Sequence, residues 1–301
     1  MQIFQVDAFT QTRFTGNPAS VILDADGASD SALAAIAREF PQAETAFVLA
    51  PTAADHDLRI RFFNARKEAP FVGHATVAAH AVLLSVGRRG TGVIRQQSGT
   101  GILEVNAAPG VSGSDAFIEF RQGAPVFEAP LPADAVAAVA QQLGLPTELI
   151  NTALPARIAR KGSSRLLLAL HEPASLEMIE PRNDALVRLG GELGAEGFFV
   201  FSVRRDAAGL STYSRMFCPA LGIPEDPVSG NAHAMLAANL WERGLFGEYE
   251  RHFTGHQGEQ MRRPGCVQVE LETNGAAMTA ARIGGHAVIV SRGLLLGDTF
   301  C

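Results

Sequence analysis

Two octapeptides constrain this chain more than any other feature. Glu68-Ala69-Pro70-Phe71-Val72-Gly73-His74-Ala75 aligns without a gap on Glu225-Asp226-Pro227-Val228-Ser229-Gly230-Asn231-Ala232, and the match continues through Ala81 with Ala238 and Leu83 with Leu240. Upstream, Arg61-Phe62-Phe63 has a counterpart in Arg215-Met216-Phe217. Further upstream still, Ala43-Glu44-Thr45-Ala46-Phe47-Val48 resembles Ala195-Glu196-Gly197-Phe198-Phe199-Val200 at nearly the same offset. Three collinear blocks point to a duplication, and at 301 residues each half is long enough to bury a core of its own.

Periodicity supplies the elements. Ile3, Phe4, Val6 and Phe9 suggest a first strand, and the turn Gly16-Asn17-Pro18 leads into a second over 20–23. Asp30 reads as the cap of a helix running to Phe40. Residues 45–49 read as a buried strand, and Leu58, Ile60 and Phe62 alternate with polar residues as a half-buried strand does. From 75 to 86 small and apolar residues run without a breaker, which predicts a buried helix. Strands follow around Val93 and Leu103. The second half repeats the mixture, with strands over 117–120, 166–170, 198–203 and 267–271 and helices over 132–143, 181–193 and 232–243. The class is mixed α and β. Residues 107–114, rich in turn formers, are the clearest linker-like stretch, and the domain boundary is placed there.

Composition narrows the function classes. The formal net charge is -6 with no long basic run, which argues against nucleic acid or an anionic membrane as partner. The start, Met1-Gln2-Ile3-Phe4-Gln5-Val6-Asp7, has no basic segment followed by an apolar block, and a soluble cytoplasmic protein is expected. Cys218, Cys266 and Cys301 are too few for a disulfide framework and read as free thiols. No P-loop, dinucleotide fingerprint or Gly-x-Ser-x-Gly elbow occurs, and His252 and His256, though four apart, lack the helical pattern of a metal site.

The repeat suggests where chemistry sits. Gly73 and Gly230 each stand at a turn into a helix, where the first amide N–H groups have no intrahelical partner and carry the positive end of the helix dipole. Two such starts facing one cleft would hold a small carboxylate. Val72 and Ser229 precede the two glycines, and no cysteines fall at matched places, so a symmetric thiol pair is disfavoured. The proton carriers near the motifs are Glu44, Glu68, His74, Glu225, Asp226 and His233. Glu44 lies between a helix end and an apolar strand, where a carboxylate is partly desolvated and its pKa rises towards neutrality, unless it is a solvated loop residue. His74 reads either as a substrate donor or as a capping residue, and Asp226 either as a substrate contact or as an acidic turn residue.

Several segments resemble the PhzF-like family of phenazine biosynthesis, whose relatives include diaminopimelate epimerase and proline racemase. They are Phe14-Thr15-Gly16-Asn17-Pro18-Ala19, Glu44-Thr45-Ala46-Phe47, Gly73-His74-Ala75-Thr76, Glu225-Asp226-Pro227-Val228-Ser229-Gly230, Gln257-Gly258 and Arg263-Pro264-Gly265. The resemblance covers nearly the whole chain. It implies an α+β fold of two similar domains, each a curved, mostly antiparallel sheet wrapped around a central helix, with the active site in the cleft between them. The domains would be 1–114, with 290–301 returning to it, and 115–289. It implies a metal- and cofactor-independent isomerase, of the trans-2,3-dihydro-3-hydroxyanthranilate type, acting on a small carboxylate, and a homodimer. Glu44 would move the proton, with His74 and Asp226 assisting. Asn17, Gly73, Ala75, Thr76, Ser229, Gly230, Asn231 and Ala232 would bind substrate. Two departures stand out: Asn231 replaces a serine five residues after the aspartate, and Phe63-Asn64-Ala65 replaces Phe-Thr-Pro. The other readings are an amino-acid racemase or epimerase using Glu44 and a second acid/base, and a non-catalytic carboxylate-binding protein.

Overall fold

The structure is a computed structural model that describes residues 1–40, 44–110, 115–207 and 209–296. Residues 111–114 of the linker-like stretch, and 297–301 of the expected returning tail, lie outside the described residues. The chain divides into two compact units, Met1–Arg121 with the stretch that starts at Gly284, and Gln122–Ile283.

In the first unit the strands are β1 (Gln2–Ala8), β2 (Asn17–Leu23), β3 (Thr45–Leu49), β4 (Leu58–Phe63), β5 (Glu68–Ala69), β6 (Gly92–Ser98), β7 (Gly101–Pro109) and β8 (Asp115–Gly123), the last of which runs two residues into the second unit. Helices α1 (Asp30–Arg38) and α2 (Gly73–Ser85) join them. Residues 107–109, expected in a linker, are the end of β7. The α1 cap is Ser29, not Asp30: the Ser29 hydroxyl accepts from the Ala32 amide, and Asp30 sits inside the positive end of the helix.

Helix α2 is buried at every position from His74 to Leu83 and packs against β1, β2, β3 and β7. Its sequence explains this: Ala75, Ala78, Ala79 and Ala81 keep it slim, and no charged residue stands on any face, so it can only be a core helix. It begins two residues before the expected 75.

The second unit contains β9 (Val126–Phe127), α3 (Ala133–Gln142), β10 (Arg157–Lys161), β11 (Ser163–Leu170), α4 (Asn183–Leu193), β12 (Gly197–Asp206), β13 (Gly209–Cys218), β14 (Ile223–Asp226), α5 (Gly230–Glu242), β15 (His252–Gln257), β16 (Gly265–Asn274) and the first residues of β17 (Ala277–Leu294). Like α2, α5 has thirteen residues, and every one from Ala232 to Leu240 is buried.

The pairing pattern carries the duplication. In the first unit β1–β2 is antiparallel, β2–β3 parallel, β3–β4 antiparallel, β4–β5 antiparallel, β4–β6 parallel and β6–β7 antiparallel. The second unit repeats the series with β10–β11, β11–β12, β12–β13, β13–β14, β13–β15 and β15–β16. Side chains follow suit. Arg61 Nε and Nη2 donate to the two Glu68 carboxylate oxygens at 2.8 and 2.6 Å, and Arg215 Nε and Nη2 donate to Glu225 at 2.8 and 2.9 Å. Each guanidinium also lies 5.0 Å from the ring of Phe63 or Phe217. The fork joins the strand to the turn that opens the core helix in both halves.

Register corrects one pairing read from the sequence. With Arg61 matched to Arg215, the residues opposite them are Phe47 and Val200. Counting back, Glu44 corresponds to Gly197 and not to Glu196. A one-residue offset reverses the face of a strand, so the sequence similarity had joined residues with opposite orientations.

The same register matches Gly99 to Gly258. A Cβ on Gly99 would lie 2.8 Å from the Pro70 Cα, and one on Gly258 would lie 3.0 Å from the Pro227 carbonyl oxygen, so matched glycines pass over matched prolines. Gly191, inside α4, faces open space. Gly99→Ala is therefore expected to cost about 1–3 kcal/mol, whereas Gly191→Ala stabilises by about 0.4–1 kcal/mol; urea denaturation of the two variants measures both.

Candidate functional site

Glu44 stands one residue before β3, with 8% of its surface exposed, and its carbonyl accepts from the Ser20 amide at 3.4 Å. His74 is the second residue of α2. Its Nε2 lies 3.4 Å from Glu44 Oε2, both side chains being about nine-tenths buried. Burial pushes the imidazole pKa down to about 4, so His74 is neutral at physiological pH.

The helix start beside this pair is open. Val72, at the N-cap, offers no side-chain cap, and the first turn has no acidic residue. The first intrahelical bond runs from the Thr76 amide to the Val72 carbonyl, so the amides of Gly73, His74 and Ala75 have no partner within the helix. Ala75 is fully buried and brings only its backbone. The Thr76 hydroxyl turns back onto the Val72 carbonyl at 2.9 Å, a helix contact. A Cβ on Gly73 would lie 3.1 Å from the Phe120 ring, which explains the glycine. Asn17 is buried at the start of β2, paired with Ala8.

In the second unit Asp226 ends β14, half-buried, and Ser229 caps α5 by accepting from the Ala232 amide at 3.4 Å. Gly230 opens the helix. Asn231, matched to His74, has its amide engaged: Nδ2 donates to the Lys161 carbonyl and Oδ1 accepts from the Ser163 hydroxyl, both at 3.2 Å. It ties α5 to the β10–β11 hairpin. Asn64, the other departure, closes the β4–β5 turn by accepting from the Arg66 and Lys67 amides.

The structure thus gathers Glu44, Gly73, His74, Ala75 and Thr76 at one helix start and Asp226, Ser229, Gly230, Asn231 and Ala232 at the other. Glu196 belongs to neither. It accepts from the Ser164 amide and lines a shallow 810 Å³ depression with Arg160 and Lys161. Gly197, which holds Glu44's place in the second unit, has no room for a side chain, since a Cβ would lie 2.7 Å from the Cys218 sulfur. Cys218 is buried and Cys266 exposed, and neither is at the start of α2 or α5. Among the described residues, no three His, Cys, Asp or Glu side chains are grouped to hold a metal, and no helix is long and apolar enough to cross a membrane.

Sequence reasoning gave Gln257 no role and counted His233 only among the proton carriers near the motifs. Gln257, known only as part of a late motif, donates from Nε2 to the Asp226 carbonyl at 2.6 Å and accepts from the Ser229 amide at 3.0 Å. His233 bonds the Ser229 carbonyl through Nδ1 at 2.7 Å. Position i+4 in a helix, facing the capping residue, was the available signal for His233; the strand pairing that delivers Gln257 has no local signature.

Residues 6–293 match the model of the phenazine biosynthesis-like protein family, PhzC-PhzF. The chain belongs to this family. Proteins named uncharacterized isomerase YddE, from Escherichia coli and Salmonella typhimurium, are 37% and 36% identical to it, with 96% of each chain covered. The trans-2,3-dihydro-3-hydroxyanthranilate isomerase of Pseudomonas chlororaphis is 28% identical over 97% of this chain and 98% of its own. Among solved structures, a PhzF-family phenazine biosynthesis protein of Bacillus anthracis superposes with a TM-score of 0.85 at 25% identity, covering 98% and 99% of the two chains. A hydroxyproline epimerase of Agrobacterium vitis, at 13% identity and a TM-score of 0.65, shares the fold. This family member is an isomerase with an α+β fold.

His80 and His233 share the fate of His74, each pushed by burial to about 4. Between pH 6.5 and 4 the unfolded chain takes up protons at these histidines that the folded chain does not, so stability rises with pH in this window. Each histidine removes at most about 1.4 kcal/mol per unit as pH falls from 6.5 towards 4, and the loss levels off below 4. Urea midpoints at pH 7, 5.5 and 4.5 read this slope, and a flat profile contradicts neutral burial.

Proposed function

We propose that this isomerase moves a proton on a small, cyclic or α-substituted carboxylate, with Glu44 as the general acid and base. The observation that carries the reading is the Glu44 carboxyl, buried 3.4 Å from the Nε2 of a neutral His74 at the open start of α2. A substrate carboxylate seated on the amides of Gly73, His74 and Ala75 places an adjacent carbon beside the Glu44 carboxyl. Glu44 takes the proton from that carbon. The electron pair left behind spreads into the neighbouring unsaturated or carboxylate group, and the protonated Glu44 returns the proton to another carbon, with no net oxidation. The neutral His74 ring contacts the substrate's polar groups, as does Asp226.

The shared cleft expected above is part of this proposal and rests on the repeat and on the family. The unequal repeat supports a single-acid reaction: Gly197 stands where a second Glu44 would be. Trans-2,3-dihydro-3-hydroxyanthranilate, the substrate in the name of the 28% identical relative, is the first compound to test. The engaged amide of Asn231 separates this site from the phenazine enzyme's serine, so the proposal names a substrate class and not that compound.

The test is deuterium incorporation from heavy water into that compound and into a panel of proline, 4-hydroxyproline and common α-amino acids. Wild-type protein is expected to label at least one acid, and Glu44→Gln, folded by circular dichroism, to label it about 100- to 10,000-fold more slowly. Labelling by Glu44→Gln at the wild-type rate removes Glu44 from the role. Inversion of an α-amino acid without positional isomerisation points to the racemase reading.

A further inference from the structure

We infer that Gln257, beside the His233 bond that secures the start of α5, is a positioning residue that holds the turn carrying Asp226 and Ser229 in place for the reaction, an inference that rests on the proposed role of this turn. Three backbone groups of the turn are fixed by these two side chains. Gln257 binds the Asp226 carbonyl and the Ser229 amide, and His233 binds the Ser229 carbonyl. Both are buried, at 1% and 0% exposure, so neither has water as an alternative partner. The acceptor at Ser229 fixes the His233 tautomer: Nδ1 carries the hydrogen. The ring is itself wedged, edge-on to Phe199 at 5.2 Å, and lies over Gly255, where any Cβ would collide with it.

The other half supplies the control. Ser98 holds Gln257's place in the first unit, because the register that matches Gly99 to Gly258 matches their predecessors as well. Its side chain is too short for the same task and bonds locally to Thr100. Thr76 holds His233's place and keeps that residue's bond, to the Val72 carbonyl. Gln96, in Gly255's place, bonds His80. The bond to the capping carbonyl is thus common to both halves, whereas among the described residues the two-sided Gln257 clamp occurs only in the second. The turns differ in the capping residue, Ser229 against Val72, and in the acid: the clamped turn carries Asp226, and the unclamped turn has Ala69 at the matched position. A clamp needed simply to start a core helix would appear twice. One that aims an acid appears where the acid is.

The experiment has two arms. Amide hydrogen exchange at Ser229 is followed by NMR or mass spectrometry in wild type, Gln257→Met, Gln257→Glu and His233→Phe, with the start of α2 as internal reference. In parallel, kcat and KM for deuterium incorporation are measured on whichever acid the wild type labels fastest. Gln257→Met is expected to raise exchange at Ser229 by about tenfold or more. It should lower kcat by about 10- to 100-fold, with KM changing less, at unchanged circular dichroism. Gln257→Glu, which retains the acceptor for Ser229 but not the donor to Asp226, should leave Ser229 protected and still lower kcat; this variant keeps the test open if Gln257→Met fails to fold. His233→Thr, which copies Thr76, should recover activity lost in His233→Phe.

Unchanged exchange in Gln257→Met overturns the clamp. Faster exchange with unchanged kcat reduces Gln257 to a fold-holding role and overturns the inference. If the wild type labels no acid, it is the proton-transfer reading that fails, and exchange at Ser229 alone decides the clamp.

Discussion

A helix covered on every side can do chemistry only at its ends. Residues His74 to Leu83 of α2 and Ala232 to Leu240 of α5 are all buried, so each helix leaves only its two ends to meet anything but its neighbours, and the N-terminal end is the one rich in unpaired amides. The Arg–Glu forks fix the turns that lead into the helices, and the glycines over Pro70 and Pro227 let neighbouring backbone close over those turns. Glu44, His74, Asp226 and Ser229 all lie at or beside the two helix starts.

Much of this was legible in the sequence, and the reasons are local. The helices could be read from uninterrupted small and apolar residues, and the duplication from gapless motifs around Gly73 and Gly230. The mixture of α and β followed from alternating strand and helix periods, and the α+β class from the family resemblance. What the sequence concealed depended on pairing between distant strands. Glu196 looked like Glu44's partner because identical letters aligned, yet the strand register places Gly197 there. Asp30 looked like a cap because acids favour helix starts, but Ser29, one residue earlier, makes the bond. Gln257 gained its meaning only when β15 was laid beside β13, bringing it to the Asp226 turn.

The halves have diverged by exchanging polar groups at fixed positions. Glu44 and His74 in one half correspond to Gly197 and Asn231 in the other, and Ala69 corresponds to Asp226. Asn231 has become a tether to the β10–β11 hairpin, and Ser229 a cap. One half therefore holds a carboxyl beside a neutral ring and an open helix start, and the other holds a carboxyl on a braced turn and a closed start. The shared frame carries two different sets of donors and acceptors.

Gly197 gives that divergence a direction. Cys218 and Met216 have filled the space where a side chain would project, with the sulfur of Cys218 2.7 Å and the terminal carbon of Met216 3.1 Å from any Cβ. An acid at 197 would need the side chains of Met216 and Cys218 to move aside and would still press on the Phe217 carbonyl. The packing behind Gly197 therefore weighs against a second acid at the place that Glu44 takes in the first unit.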